Sequence, residues 1–512
     1  MRWISNLACV VSSTLIHFHN VLNPPNLLPF PPPSDLEKLP TNTTLYPSLP
    51  LWKKSLLVFT TSLTTLSACF SSTSLLSISN EIATSLHTTR TPINLSTGGL
   101  ILAMGLSSFL WTPLASIFGR RITYCACIAV LFAFTIAAAL APNIRVFVAM
   151  RVLSGLQGCY FHVAGQTIIA EYFPPVQRGT ATGFFLAGTV LGPPLGPLVA
   201  GIMVTYADWR SILWLQGAMV GVAFVMAVLL IPGSMVDAGV GKMNLRGREA
   251  WKQFDPRPVF GCMGFPNVGF THLSCGLLSW TQYSILAAPR HILSDRFGLS
   301  SPLATGLFYI SPAAGFLLGT IIGGRYSDTT VRKWIDRRGE RLPQDRLRSG
   351  MVAFFFIIPV GMLIYGWGLH CKSCSAAKGG LALPIVLTFF ISVGLLAAFA
   401  SLNTYCAEAI PKKRKEVIAG KYLVQYTFSA CATAGSVPLM EAIGIGPSST
   451  INVALILAAG TLTLATARYG LDMQKWAERR TVQRNEMKES IASQRSKTSH
   501  ADVLANAIKL MA

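Results

Sequence analysis

The sequence predicts an all-α membrane protein: twelve transmembrane helices arranged as two pseudo-symmetric six-helix bundles. Three observations predict it. Charged residues make up 12% of the 512 residues and hydrophobic residues 51%, about half the charge of an ordinary soluble chain. Twelve apolar runs each approach the roughly 20 residues that a helix needs to cross a hydrocarbon core. A loop pattern that follows the second run also follows the eighth, as a duplicated half would produce.

Residues 1–54 form a Pro-rich cytoplasmic tail. Its start, Met1–His19, imitates a signal peptide behind Arg2, but the run is short and Ser-interrupted. The tract from Pro24 to Pro50 reads as an extended, solvated linker. Six apolar runs, at 55–77, 98–118, 122–141, 147–170, 180–204 and 211–231, make the N-terminal bundle, 55–231. The polar stretch 232–263, with Lys242, Arg246, Arg248, Lys252 and Arg257, is a cytoplasmic central loop. Six more runs, at 264–287, 303–323, 349–369, 380–402, 422–440 and 450–467, make the C-terminal bundle, 264–467. These runs are numbered spans 1 to 12. Residues 468–512 are a basic cytoplasmic tail, either solvated or resting on the anionic inner leaflet. Gly and Pro inside the runs fit membrane helices, which tolerate both.

The net charge is +21, and most of the 42 Lys and Arg fall in inner loops and tails once the N-terminus is placed in the cytoplasm. That is the bias that orients membrane helices. The basic residues sit in short loops, with no soluble amphipathic domain to carry a basic patch, so nucleic-acid binding is excluded. The sequon Asn94-Leu95-Ser96 falls in the first outer loop and is a glycosylation candidate. Asn42-Thr43-Thr44 falls in the inner tail, where it stays unused. Among eleven cysteines, Cys371 and Cys374 are the close pair outside a span. They are ordinary loop thiols or an outer-loop disulfide, with no second Cys/His pair to support a metal. No metal and no cofactor is expected. Gly241-Lys242-Met243 lacks the Ser/Thr that completes a phosphate loop. No His-Glu-x-x-His or similar cluster lies at membrane depth, so neither an ATP-driven pump nor a membrane enzyme fits.

The duplicated loop reads Pro113-Leu114-Ala115-Ser116-Ile117-Phe118-Gly119-Arg120-Arg121 after span 2. After span 8 it reads Gly323-Gly324-Arg325-Tyr326-Ser327-Asp328, then Arg332-Lys333. In span 5, Gly188, Gly192 and Gly196 recur every four residues, giving one smooth face for close helix packing. Pro193, Pro194 and Pro197 remove backbone donors from the same helix and can bend it, which suits a gate. Span 4 carries Arg151-Val152-Leu153-Ser154-Gly155-Leu156-Gln157-Gly158.

On these residues the chain resembles the major facilitator superfamily, over roughly residues 50–470. The Gly119-Arg120-Arg121 end, with Leu114 and Ala115, matches the family's loop signature; its acid position is Ser116 in the first half and Asp328 in the second. The resemblance implies that this loop stabilises one gating state through charge pairs between helices. The span 5 run from Gly188 to Pro197 resembles the antiporter signature of drug-exporting branches. The stretch Gln166 to Ala181, with Glu171-Tyr172-Phe173-Pro174-Pro175, is similar to fungal drug:proton antiporters of the twelve-spanner branch. So are Trp209-Arg210 and Asn403-Thr404-Tyr405.

Arg151 is the one basic residue placed within a span, about a turn from its outer end. An ion there is costly unless it faces a cavity or a partner. Residues 151, 155, 158, 162 and 166 step by three or four, so Arg151, His162 and Gln166 share a face with Gly155 and Gly158. That face is read as lining a central cavity. Arg151 serves the cavity or anchors at the outer interface. His162 is a proton relay or a neutral hydrogen-bonded ring. Glu171 and Glu408 end spans 4 and 10 at symmetry-related positions, as gating contacts or as plain helix-end residues; no acid lies clearly at mid-depth. Span 7 places Asn267, Thr271, Ser274 and Gln282 on one face with His272 beside it, and span 11 offers Tyr422, Gln425, Tyr426 and Ser429. With Asn403 these residues line an uncharged, partly aromatic pocket or act as polar glue between helices.

These readings predict a secondary active transporter, a monomer that exports small molecules against proton entry by alternating access. Its partners are a small-molecule substrate (a drug-like amphiphile, a secondary metabolite or an organic acid), the proton and the lipid bilayer. The plasma membrane is the expected location, with the vacuolar membrane as the other choice. An uptake or facilitated-diffusion carrier of the same superfamily is the alternative, and a membrane receptor or enzyme the alternative from another class.

Overall fold

The computed structural model describes residues 50–173, 175–231, 257–299, 301–370, 380–410 and 413–511. Cys371, Cys374, Asn42 and the central-loop residues Lys242, Arg246, Arg248 and Lys252 lie outside them. Among the described residues every regular element is a helix. In hydrocarbon the backbone has to pair its polar groups within the segment, and a helix does so.

Ten segments are long and apolar enough to cross a membrane: Leu51–Ser77, Thr91–Ala115, Arg120–Ala139, Ile144–Ile169, Ala181–Tyr206, Arg210–Leu230, Pro302–Arg338, Asp345–His370, Ala382–Glu408 and Ile445–Arg480. They are spans 1 to 6, 8 to 10 and 12. Spans 7 and 11 are the helices Pro266–Ala287 and Arg414–Ile443, long enough at 22 and 30 residues but too polar to reach the same apolarity. Their polar side chains face protein. Asn267, His272 and Lys421 are each at most 2% exposed. Lipid-facing positions, by contrast, are apolar, such as Leu229 on span 6 and Phe356 on span 9, 76% and 69% exposed.

The packing repeats with a shift of six. Span 1 packs on span 5, span 2 on span 4 and span 3 on span 6; span 7 packs on span 11, span 8 on span 10 and span 9 on span 12. The halves meet along two seams, span 2 on span 11 and span 5 on span 8, which the same shift interchanges. Small residues let the seams close. Gly105 sits under Leu423 and Tyr426, and Gly201 lies against the backbone of Pro302 and Gly306.

Two spans are irregular, and a neighbour repairs each. Span 4 is two helices, Ile144–Gly155 and Gly158–Tyr172. At the break, Trp111 Nε1 of span 2 donates to the Leu156 carbonyl at 2.8 Å. The Tyr160 amide donates to Ser107 Oγ of the same span at 3.1 Å. Span 5 runs unbroken from Pro175 to Tyr206 through Pro193, Pro194 and Pro197. Pro197 has no N–H to give the Pro193 carbonyl four residues back. Thr73 of span 1 supplies that bond at 2.7 Å, and Ser77 donates to the Pro197 carbonyl at 2.8 Å.

Other elements differ from the sequence expectation in extent. Asn94 lies in the helix Arg90–Phe118, not in a loop, and the Ser96 hydroxyl is buried against the Ile93 carbonyl at 2.7 Å. The last helix does not stop near residue 467; it continues from Ile445 to Met511. Ala477 packs with Cys262, Phe265, Cys406 and Val417 at the inner ends of spans 7, 10 and 11.

Candidate functional site

Between the halves lies a small cavity walled by spans 1, 4, 5, 7, 10 and 11. Its polar wall includes His162, Gln282, Asn403, Tyr422, Gln425 and Tyr426, six residues singled out from sequence, together with Cys69, Thr189, Tyr283 and Lys421. The sequence pattern places His162 and Gln282 on helix faces; only the fold puts those faces around one space.

His162 is fully buried and its ring is held on both sides. Nδ1 lies 3.2 Å from the Gly158 carbonyl, while Nε2 lies 3.4 Å from the Tyr426 hydroxyl and 3.5 Å from Cys69 Sγ. The ring stands 4.9 Å from that of Tyr422. Gln166 is one bond from the cavity, with Nε2 donating to Tyr422 Oη at 3.4 Å. Asn267 lies elsewhere, bonded to Tyr405 Oη at 3.0 Å where spans 7 and 10 meet. Arg151 does not line the cavity. It is buried between spans 1 and 4 at 1% exposure, with Nη1 3.5 Å from Ser71 Oγ and no hydrogen-bond partner for Nε or Nη2 among the described residues.

Lys421 corrects the sequence reading. Span 11 as read from the sequence begins at residue 422, which leaves Lys421 in the loop before it and Arg151 as the single basic residue within a span. The structure puts it two turns inside the helix Arg414–Ile443 and 2% exposed. Its Nζ donates to Asn403 Oδ1 at 2.7 Å and sits 3.4 Å from the centre of the Tyr422 ring. The missed signal is the run Val417-Ile418-Ala419-Gly420 just before it, which is buried and belongs to the span.

The motif residues cluster at the face that the sequence assigns to the cytoplasm. Gly119 joins spans 2 and 3 at φ +85°, a turn that an L side chain resists. Arg120 then pairs with Glu171 at 2.5 Å, and Arg121 Nη2 donates to the Val228 carbonyl at 2.8 Å. In the second half, Arg346 bridges Asp328 and Glu408, each at 3.0 Å, and Arg341 reaches Glu408 at 2.9 Å. Glu171 and Glu408 thus take equivalent arginines in the two halves. The first half forms its pair without an acid at position 116. Gly188, Gly192 and Gly196 face span 1 of their own half: a Cβ on Gly192 would stand 2.4 Å from Cys69 Cβ.

At the opposite face, Arg290 after span 7 pairs with Glu81 after span 1 at 2.9 Å and also donates to the Ser77 carbonyl. This is the ion pair that joins one half to the other among the described residues. No group of His, Cys, Asp and Glu among those residues is arranged to hold a metal ion.

Two matched six-helix halves around a shared buried cavity define a multi-pass membrane transporter. The profile of the Major Facilitator Superfamily matches residues 61–435, and the chain belongs to that family. Curated relatives are of its fungal efflux branch. The MFS antiporter QDR3 of Candida albicans is 21% identical, with 81% of this chain and 78% of its own length aligned. The efflux pump radE of Floropilus chiversii is 25% identical over 72% and 71%. The efflux pump FUBT of Fusarium oxysporum is 23% identical over 87% and 77%. In fold, the chain is similar to the xylose transporter XylE of E. coli in a partially occluded inward-open conformation. The TM-score is 0.56 at 13% identity, over 82% of this chain and 98% of that one. The human organic anion transporter MFSD10 gives the same TM-score at 16% identity, over 80% and 99%.

Proposed function

We propose that the chain is a proton-coupled exporter of small organic molecules, working by alternating access as a monomer in the plasma membrane. The observation that carries this reading is the placement of ion pairs. Glu81 and Arg290 tie the halves together on the outer face, while the inner-face pairs, Arg120–Glu171 and Arg346–Glu408, each stay within one half. A mid-depth cavity clasped on the outer side is poised to load from the cytoplasm. Where the Glu81–Arg290 tie breaks, the outward-open state gains population by that difference in free energy. A gradient that is acid outside then drives release outward. The antiporter-like span 5 supports the direction, as do relatives named as efflux pumps and an antiporter.

The test is transport of a labelled panel of amphiphiles and organic acids into inside-out vesicles, with and without an imposed pH gradient. Export predicts concentrative uptake when the lumen is acid and its loss with a protonophore. Equilibration that ignores the gradient would make the chain a facilitated-diffusion carrier, and accumulation confined to right-side-out vesicles would reverse the direction.

A further inference from the structure

We infer that the central cavity is a site for aromatic organic anions, with Lys421 as the counter-ion. This rests on the transporter reading above and names its substrate class. Among the residues that line the cavity, Lys421 is the one Lys or Arg, and none is Asp or Glu. Its ammonium is out of water and held by two neutral groups, the Asn403 carbonyl oxygen at 2.7 Å and the Tyr422 ring at 3.4 Å. An ammonium has three donors; these contacts orient it and leave its charge uncompensated. No carboxylate pairs with it among the described residues. Removing an ion from water without an opposite charge is unfavourable, so the site favours an anion.

The rest of the wall specifies what bears the charge. The Tyr422 and Tyr426 rings stand 6.1 Å apart and 24° from parallel, with Phe399 and Tyr283 also on the wall. Rings so arranged accept a flat aromatic body by offset or edge contacts. Gln282 and Gln425 add neutral donors. Arg151, buried in the same half as His162 and without a carboxylate partner among the described residues, adds positive potential. A cationic amphiphile would set a second like charge beside Lys421, and a neutral aromatic would fill the slot while leaving the ammonium unanswered.

The experiment measures binding of radiolabelled 2-naphthoate to the full-length protein in lipid nanodiscs, competed by 2-naphthoate, 2-naphthamide and 2-naphthylmethylammonium. These probes have one ring system and similar size but different charge. The site predicts that the carboxylate competes about tenfold or more better than the amide, with the ammonium weakest. Lys421→Gln removes the difference between carboxylate and amide; Lys421→Arg keeps the difference. Should Lys421→Gln fail to fold, Asn403→Ala retains the charge and releases its tether, and weakens the carboxylate more than the amide. Equal competition by carboxylate and amide in the wild type, a stronger ammonium, or a carboxylate preference that survives Lys421→Gln would each overturn the inference. Binding does not depend on direction or on a gradient. Selective binding without gradient-driven transport therefore sinks the exporter reading alone, and export of all charge classes with no carboxylate preference sinks this one alone.

Discussion

Among the described residues Arg120 and Arg290 are buried beside carboxylates, whereas Arg151 and Lys421 are buried without one, and their surroundings differ. Lys421 is tethered and faces the cavity; Arg151 sits behind the cavity wall with a long contact to Ser71. A buried ion with so little compensation is not kept for stability. Arg151→Met therefore leaves the melting temperature unchanged or raises it, while transport falls about tenfold or more, the equivalent of one lost hydrogen bond to a charged group. Thermal melting beside vesicle uptake separates the two effects, and a large loss of stability would make Arg151 a structural residue. Thr73 is the opposite case. Its hydroxyl serves the carbonyl that Pro197 leaves without an amide. Thr73→Val orphans a buried acceptor and costs about 1–3 kcal/mol; Thr73→Ser restores most of it, read as the shift in melting temperature.

At the scale of elements, span 5 and span 4 both combine weak helical chemistry with a neighbour that completes it. Span 5 can hold three prolines because span 1 supplies hydroxyls, and it can approach span 1 because Gly188, Gly192 and Gly196 have no side chains. Gly192→Leu needs space that the Cys69 backbone and side chain occupy, so the helix pair separates and transport is lost. Normal export by that variant would show that the close face is dispensable. Span 4 breaks at Leu156 and Gln157, and span 2 covers the break through Trp111 and Ser107. Trp111→Phe keeps the ring and removes the N–H, so the exposed carbonyl weakens the break by about 1 kcal/mol. Faster hydrogen exchange at Phe161 to Gly165, with transport slowed and binding retained, is the expected signature.

At the scale of the molecule, the six-shifted packing makes the cavity a consequence of symmetry. The seams of span 2 on span 11 and span 5 on span 8 are interchanged by the same operation, so the space between them lies on the axis that relates the halves. Glu81–Arg290 ties that arrangement on one face. Glu81→Gln keeps the shape and removes one charge of the tie. In that variant the outer face opens more often: a cysteine placed at Leu76 reacts faster with an impermeant thiol reagent than in the parent. An unchanged rate would exclude the pair as the outer clasp.

The sequence by itself determined the class of fold and the duplication, because hydrocarbon imposes run length and apolarity on each span and every copy of a half repeats them. It also supplied His162, Gln282, Asn403, Gln425 and Tyr426, since polar side chains within apolar runs are few enough to read one by one. Hydropathy alone misplaced Lys421, because a lysine beside an apolar run looks like its boundary; burial under Tyr422 and Asn403 is a property of two helices meeting. Tertiary structure likewise decided that Arg151 stands behind the cavity and not in it, that the span 5 glycines face span 1, and that Glu81 meets Arg290. The reason is the same in each case. A one-dimensional pattern gives the face of a helix on which a residue lies, and what that face meets is set by helices far away in the chain.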